Sequence, residues 1–321
     1  MSETVETYFP QIADIYQAAK TIAQVAEVTP LQQSIRYSKS HGANILLKRE
    51  DLHRVRSYKI RGAYNKISSL SKQQLDSGVV CASAGNHAQG VAFACSHLQV
   101  KGTIYMPVVT PKQKIDQTKM FGGEWVDVVL KGDTFDDSKK AAESFSQQEG
   151  KTFVHPFDDE KTIEGQATVG LEMLQQADNP IDYVFVAVGG GGLASGLCGT
   201  FQALSPNTKI IGVEPEGAPS MLESMEQGEL VELENIDKFI DGAAVQKVGS
   251  LTYPICKDHL YKMVTIPEGK VCQTILDLYN RDAIVVEPAG ALTIAALDDF
   301  KEEIKGKNVV CVVSGSNNDI T

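Results

Sequence analysis

The sequence predicts an α/β fold built on a parallel sheet, and three observations carry that reading. Short apolar runs alternate along the chain with amphipathic segments of helical period. Several runs are apolar almost without interruption, as suits strands covered by helices on both faces. The strand-then-helix order repeats, which joins parallel neighbours through helical crossovers.

The expected strands, in order, are "NILLK" (44–48), "GVVCA" (78–82), "GTIYM" (102–106), "EWVDVV" (124–129), "DYVFVAV" (182–188), "KIIGVE" (209–214), "AIVVE" (283–287) and "NVVCVVS" (308–314). Between them lie helices. "NHAQGVAFACSHL" puts Ala88, Val91, Ala92, Cys95 and Leu98 on one face. "TPKQKIDQTKMFGG" opens with Thr110 as N-cap and Pro111 at the first helical position, and closes at Gly122. "DTFDDSKKAAESFSQQEG" is capped by Asp133 or Thr134 and stops at Gly150.

A chain of 321 residues suggests about two domains, or one large α/β domain. It is long enough to bury a core without disulfides or metals. The net charge of −11 argues against a nucleic-acid partner, which needs concentrated Lys and Arg. No apolar run reaches the roughly 20 residues of a membrane span. The start "MSETVETYFP" lacks the basic and apolar regions of a secretory signal, so a cytoplasmic location is expected. The six cysteines form no CxxC pair, and Cys81 and Cys311 sit inside strand-like runs as buried thiols. The histidines show no ligand spacing, and no metal is expected on that ground.

Ligands of open parallel sheets gather at the C-terminal ends of strands. Three such ends are rich in small and polar residues. "CASAGNHAQG" (81–90) turns into a helix whose free N–H groups favour an anion, although Ser83 or Asn86 could simply cap it. "VAVGGGGLASG" (186–196) places four glycines between strand and helix, where bare backbone can wrap a phosphate. The same turn also matches G-x-G-x-x-A at Gly189, Gly191 and Ala194, with Glu214 ending the next strand. That is dinucleotide spacing, so NAD stays open. "VVCVVSGSNND" (309–319) ends in Ser314-Gly315-Ser316-Asn317, which is also an ordinary turn composition. A fourth segment, "VRSYKIRGAYNKI" (55–67), reads either as a helix with a solvated basic face or as the carrier of one reactive lysine.

These segments in this order, with "KREDL" (48–52), "DGAAV" (241–245) and "EPAGA" (287–291), resemble the pyridoxal-phosphate enzymes of the tryptophan-synthase β type, fold type II. The similarity is greatest to threonine dehydratases (threonine deaminases) of the biosynthetic type, and it spans nearly the whole chain. It implies a large α/β domain (1–75 and 156–321) into which a smaller one (76–155) is inserted. It implies pyridoxal 5'-phosphate as cofactor, with Lys59 forming the Schiff base and later removing the α-proton. Asn86 would meet the ring hydroxyl, and Gly189, Gly190, Gly191, Gly192 and Leu193 would cradle the phosphate. Ser314 would face the pyridine nitrogen, and Ser83, Ala84, Gly85, Asn86 and His87 would grip the substrate carboxylate. Arg56, Arg61 and Lys66 are left as positioning or solvated charges.

The chemistry suits these residue types. Lysine condenses with an aldehyde only as the free amine, so its surroundings must lower its pKa. A hydroxyl at Ser314 supplies no charge to the pyridine nitrogen, which favours prompt loss of a β-hydroxyl over transamination. The implied reaction is deamination of L-threonine, and also L-serine, to 2-ketobutyrate or pyruvate and ammonia, the first step of isoleucine biosynthesis. The implied protein is a cytoplasmic homodimer or homotetramer with a small amino-acid substrate. Serine racemases and serine dehydratases of the same family are the alternative, and an NAD-dependent oxidoreductase is the more distant one. Position 84 is Ala where serine racemases resemble "SSGNH", which removes their proton donor. Ser220 stands where their second cation-binding carboxylate would be, which weakens the case for a divalent ion near Glu214. Biosynthetic relatives carry a C-terminal regulatory domain, and a chain stopping at "NNDIT" is expected to be truncated before it.

Overall fold

The computed structural model describes residues 8–318. Among them ten strands follow in order: β1 (Leu31–Gln33), β2 (Asn44–Arg49), β3 (Val79–Ala82), β4 (Gly102–Met106), β5 (Val126–Leu130), β6 (Thr152–Phe153), β7 (Tyr183–Ala187), β8 (Lys209–Pro215), β9 (Lys262–Ile266) and β10 (Asn308–Val313). The helices are α1 (Ile12–Ile22), α2 (Ile35–His41), α3 (Lys59–Ser68), α4 (Lys72–Ser77), α5 (Asn86–Leu98), α6 (Lys112–Gly122), α7 (Phe135–Gln148), α8 (Glu160–Gln176), α9 (Gly192–Leu204), α10 (Ser220–Gln227), α11 (Thr252–His259), α12 (Glu268–Asp282) and α13 (Pro288–Ala295).

The strands form two sheets. One has six strands in the order β1-β2-β10-β7-β8-β9, and the other has four in the order β5-β4-β3-β6. Every pairing is parallel except that of β1 with β2. The four-stranded sheet comes from a stretch of chain lying between β2 and β7, so it interrupts the sequence of the other. Val309 to Val313 of β10 are wholly buried, which is why this run carries no polar alternation. Burying one such side chain stabilises by roughly 1.5–3 kcal/mol.

The apolar run at 283–287 does not form a strand. Ala283 takes a left-handed conformation (φ 54°) that ends α12, and Pro288 stands in the first turn of α13. Five residues between two helix ends have no strand to pair with, although Ile284 and Val286 are buried. The place at the sheet edge is taken by β9, whose "KMVTI" is not among the expected strands although it is as apolar as "GTIYM". The α6 helix begins at Lys112 with Pro111 as N-cap, one residue later than the Thr110 cap predicts. For α7 the cap is Thr134, in a reciprocal capping box with Asp137. Cys81 and Cys311 are buried free thiols.

The chain turns that matter lie at the C-terminal ends of β3, β7 and β10. β10 and β7 are neighbours, so two of those ends are adjacent. An isolated bridge between Ser57 and Gly315 then pulls the residues before α3 against the end of β10. No described helix is long and apolar enough to cross a membrane.

Candidate active site

Lys59 is the first residue of α3. Its approach is fixed by main-chain bonds. Tyr58 N–H donates to Ser314 O at 3.2 Å, and Ser316 N–H to Arg56 O at 2.9 Å. The lysine Nζ donates to Pro156 O at 2.8 Å and lies 5.2 Å from the centre of the Tyr58 ring. Burial lowers its pKa from 10.5 to about 8, with the negative charge of Glu287 opposing the shift. About a tenth of the lysine is therefore free amine at pH 7, far more than an ordinary lysine provides.

The solvated-face reading of this helix fails. Arg61 is wholly buried and forms a fork with two carboxylates. It reaches Glu50 at 2.8 and 2.9 Å and Glu172 at 2.7 and 2.9 Å. Lys48 joins Glu172, and His53 binds Glu50 at 2.9 Å. Lys66 pairs with Asp159. Of the basic residues in the segment, Lys59 is the one whose ammonium binds only a carbonyl among the described residues.

Asn86 does not cap α5, because the N-cap is Gly85 and no side chain caps it. Its Nδ2 instead donates to Glu287 Oε1, and its Oδ1 accepts from Asn317 Nδ2, both at 2.6 Å. Asn317 also donates its N–H to Glu287 Oε2 at 3.0 Å and its side chain to Val55 O at 2.9 Å. One asparagine thus ties the lysine segment, Asn86 and Glu287 together. Glu287 is buried, and burial followed by the charge of Asp241 raises its pKa to about 7. Ser314, 4% exposed, adjoins Tyr58 through its carbonyl.

Just before α5, Ser83 Oγ accepts the Gly85 N–H at 3.2 Å. The amides of Asn86, His87 and Ala88 come before any residue that could accept from them within the helix. His87 Nε2 donates to Val154 O at 2.8 Å, so in the neutral ring Nδ1 carries no proton. That buried Nδ1 has no partner among the described residues. Burial, helped by Lys59, lowers the ring's pKa to about 3, so His87 is neutral. Ala84 presents no polar side chain.

The glycine turn is a set of unused donors. Among the described residues the N–H groups of Gly189, Gly190 and Gly191 have no acceptor, and α9 begins at Gly192. Gly191 has φ +90°, a conformation L side chains rarely adopt. A side chain at Gly190 would run into the ring of Phe157. Bare N–H groups converging before a helix N-terminus fit an anionic phosphate. The segment 156–158 joins this turn to the lysine. Pro156 accepts from Lys59, Phe157 lies over Gly190, and Asp158 accepts the N–H groups of Ser250 at 2.9 Å and Leu251 at 2.8 Å.

Glu214, the acid of the dinucleotide spacing, is buried and already engaged. Its oxygens accept the N–H groups of Met221 at 2.7 Å and Leu222 at 2.9 Å, so it closes the start of α10 rather than facing a ribose. Among the described residues no group of three or more His, Cys, Asp or Glu is placed to hold a metal. Glu287 and Pro156 are site neighbours to which the sequence assigns no role, and Asn317 lies in the third strand-end turn without a role of its own there. Glu287 lies in the quoted "EPAGA", but nothing in that segment says that it meets Asn86.

Comparison with known proteins agrees with this geometry. A family model described as "Pyridoxal-phosphate dependent enzyme" matches residues 22–315. The chain is 57% identical over 310 residues to the L-threonine dehydratase biosynthetic IlvA of Halalkalibacterium halodurans, covering 97% of this chain and 75% of that one. It is 52% identical to the protein of the same name from Bacillus subtilis, covering 97% and 74%. Among solved structures, the processed form of threonine deaminase isoform 2 from Solanum lycopersicum superposes with a TM-score of 0.90 at 41% identity, over 98% of this chain and 94% of that one. Maize serine racemase does so with a TM-score of 0.92 at 30% identity, over 98% and 95%. With its lysine, its unpartnered glycine amides and this breadth of similarity, the chain belongs to the pyridoxal-phosphate-dependent enzyme family.

Proposed function

We propose that this enzyme deaminates L-threonine, and L-serine as a second substrate, to 2-ketobutyrate or pyruvate and ammonia, as the entry step of isoleucine biosynthesis. One observation carries the proposal. A lysine of lowered pKa, Asn86 and a row of free glycine amides meet in one cluster, in a chain 57% identical to a biosynthetic threonine dehydratase.

The amides from Gly189 to Leu193 would hold the cofactor phosphate, Asn86 the ring hydroxyl and Ser314 the pyridine nitrogen. When bound, the cofactor supplies an electron sink for the pair released from the substrate's Cα. Lys59 Nζ, partly unprotonated, takes the α-proton as general base. The free first-turn amides of α5 bind the substrate carboxylate. The uncharged Ser314 hydroxyl would offer no charge to the ring nitrogen, which would favour loss of the β-hydroxyl over transamination. Hydrolysis of the released enamine gives the keto acid and ammonia. Ala84 leaves the opposite face of the substrate without a donor, which disfavours racemisation. We place the enzyme in the cytoplasm as a homodimer or homotetramer. Leu276 and Tyr279, on one face of α12 and 54% and 62% exposed, are suited to self-association.

The test is keto-acid formation from threonine by cofactor-loaded protein, with Lys59→Ala as control. The wild type should form 2-ketobutyrate and the variant should not. A loaded wild type that leaves threonine untouched, or a variant of full activity, overturns the proposal.

A further inference from the structure

We propose that Thr252 is a positioning residue that orients the Gly190–Gly191 peptide so that its N–H faces the cofactor phosphate; this rests on reading 189–193 as the phosphate cradle. Thr252 opens α11 and is wholly buried. Its hydroxyl donates to Gly190 O at 2.6 Å and accepts the Gly249 N–H at 3.1 Å. The Gly249 N–H also points at Gly190 O, at 3.3 Å. The Gly190 carbonyl is therefore held by two donors arriving from the 249–252 loop.

A trans peptide is planar, and its C=O and N–H point in opposite directions. Holding the Gly190 carbonyl toward Thr252 turns the Gly191 N–H away from it. That N–H is one of the donors without an acceptor. The lock is needed because of the glycines themselves. With no Cβ on either side, this peptide could rotate and present its carbonyl to the cradle at little steric cost. A carbonyl oxygen there would repel a phosphate that the N–H attracts. Thr252 also packs against Gly191, where a Cβ would come within 2.8 Å of its Oγ1. Behind it, Asp158 binds the Ser250 N–H at 2.9 Å, the Ser250 hydroxyl at 2.9 Å and the Leu251 N–H at 2.8 Å, fixing the loop that carries Thr252.

The experiment compares the affinity of the cofactor-free protein for pyridoxal 5'-phosphate and for pyridoxal, which lacks the phosphate. Both are titrated by the absorbance of the bound aldehyde. Thr252→Val keeps the shape and removes the hydroxyl, while Thr252→Ser keeps the hydroxyl. Val should weaken pyridoxal-phosphate binding roughly tenfold, the scale of a charge-assisted hydrogen bond, and leave pyridoxal binding unchanged. Ser should restore the wild-type ratio of the two affinities. A Val variant with the wild-type ratio, or one that loses both ligands equally, overturns the role of Thr252. Should that variant fail to fold, Asp158→Asn at its half-buried position carries the same comparison. A fall of a few-fold in the ratio is expected there, and an unchanged ratio overturns the proposal. A wild type that binds pyridoxal as tightly as its phosphate would instead overturn the cradle reading itself.

Discussion

Replacing Lys59 by Met should abolish turnover and yet stabilise the cofactor-free protein near neutral pH. The lysine of the unfolded chain takes its proton with an ordinary value of 10.5, whereas in the folded protein burial lowers this to about 8. At pH 7 the fold must therefore hold a charge in a place that disfavours it. The gap corresponds to a cost of about 3 kcal/mol. Methionine removes that cost but leaves the Pro156 carbonyl without its donor, a loss of about 1 kcal/mol. The net gain expected at pH 7 is about 2 kcal/mol. Its sign with pH follows from linkage. Because the folded value is the lower one, the unfolded chain binds more protons between pH 8 and 10.5 and the wild type gains stability across that window. The lysine cost falls to about 1 kcal/mol by pH 10, so the advantage of the variant should vanish there. Urea unfolding of both cofactor-free proteins at pH 7 and pH 10 measures this difference. A variant no more stable than wild type at pH 7, or an advantage that does not change with pH, would refute the reasoning.

Two further outcomes follow from the buried charges. Arg61→Met strands Glu50 and Glu172, both of which depend on its guanidinium, and should cost roughly 3–5 kcal/mol in urea unfolding; a loss below about 1 kcal/mol would mean that the fork is not holding them. His87 and His155 are held neutral, with values lowered to about 3 and about 4, mainly by burial. Their contribution is present above the ordinary value near 6.5 and is lost as pH falls. From pH 7 to pH 5 the two rings should remove about 4 kcal/mol of stability, read as the difference in pH dependence between wild type and a His87→Gln, His155→Gln double variant, because Glu214 and Glu287, raised to about 8 and about 7, take up protons over the same range and oppose the loss; two proteins whose urea stability changes alike would contradict the burial of these histidines as neutral rings.

How much of this was legible beforehand depended on whether the deciding information was local. The runs that became β10 and β7 could be read because burial on both faces leaves an unbroken apolar signature. The run at 283–287 carries the same signature for a different reason. Two of its residues fill the core from an extended connection, and only the left-handed turn at Ala283 and the helix starting at Pro288 reveal that it has no partner. β9, an edge strand with one strand neighbour, β8, is missing from the expected strands although its apolar content equals that of β4. At the site, the glycine turn was readable because four adjacent glycines are themselves the device. Thr252 and Glu287 were not, since their roles arise from what they meet: a carbonyl 62 positions away and an amide 201 positions away.

The same reasoning explains why one basic residue in "SYKIRG" is reactive and its neighbour is inert. Lys59 and Arg61 are two positions apart on one helix, and burial pushes both toward the uncharged form. For Arg61, Glu50 and Glu172 more than offset that push, and its guanidinium is held above its usual value. Those carboxylates come from 11 residues before it and 111 residues after it, so no local pattern announces them. Lys59 meets no such partner: a carbonyl accepts its hydrogen bond, and the nearby Glu287 is shared between Asn86 and Asn317. Moving a carboxylate next to Lys59 would stabilise its charge and remove the free amine. The two carboxylates around Arg61 therefore do more than fix α3 to the turn after β2 and to α8. They satisfy the helix's structural cation with the nearest acids and leave the adjacent lysine with burial as the dominant influence, which is the condition its chemistry needs.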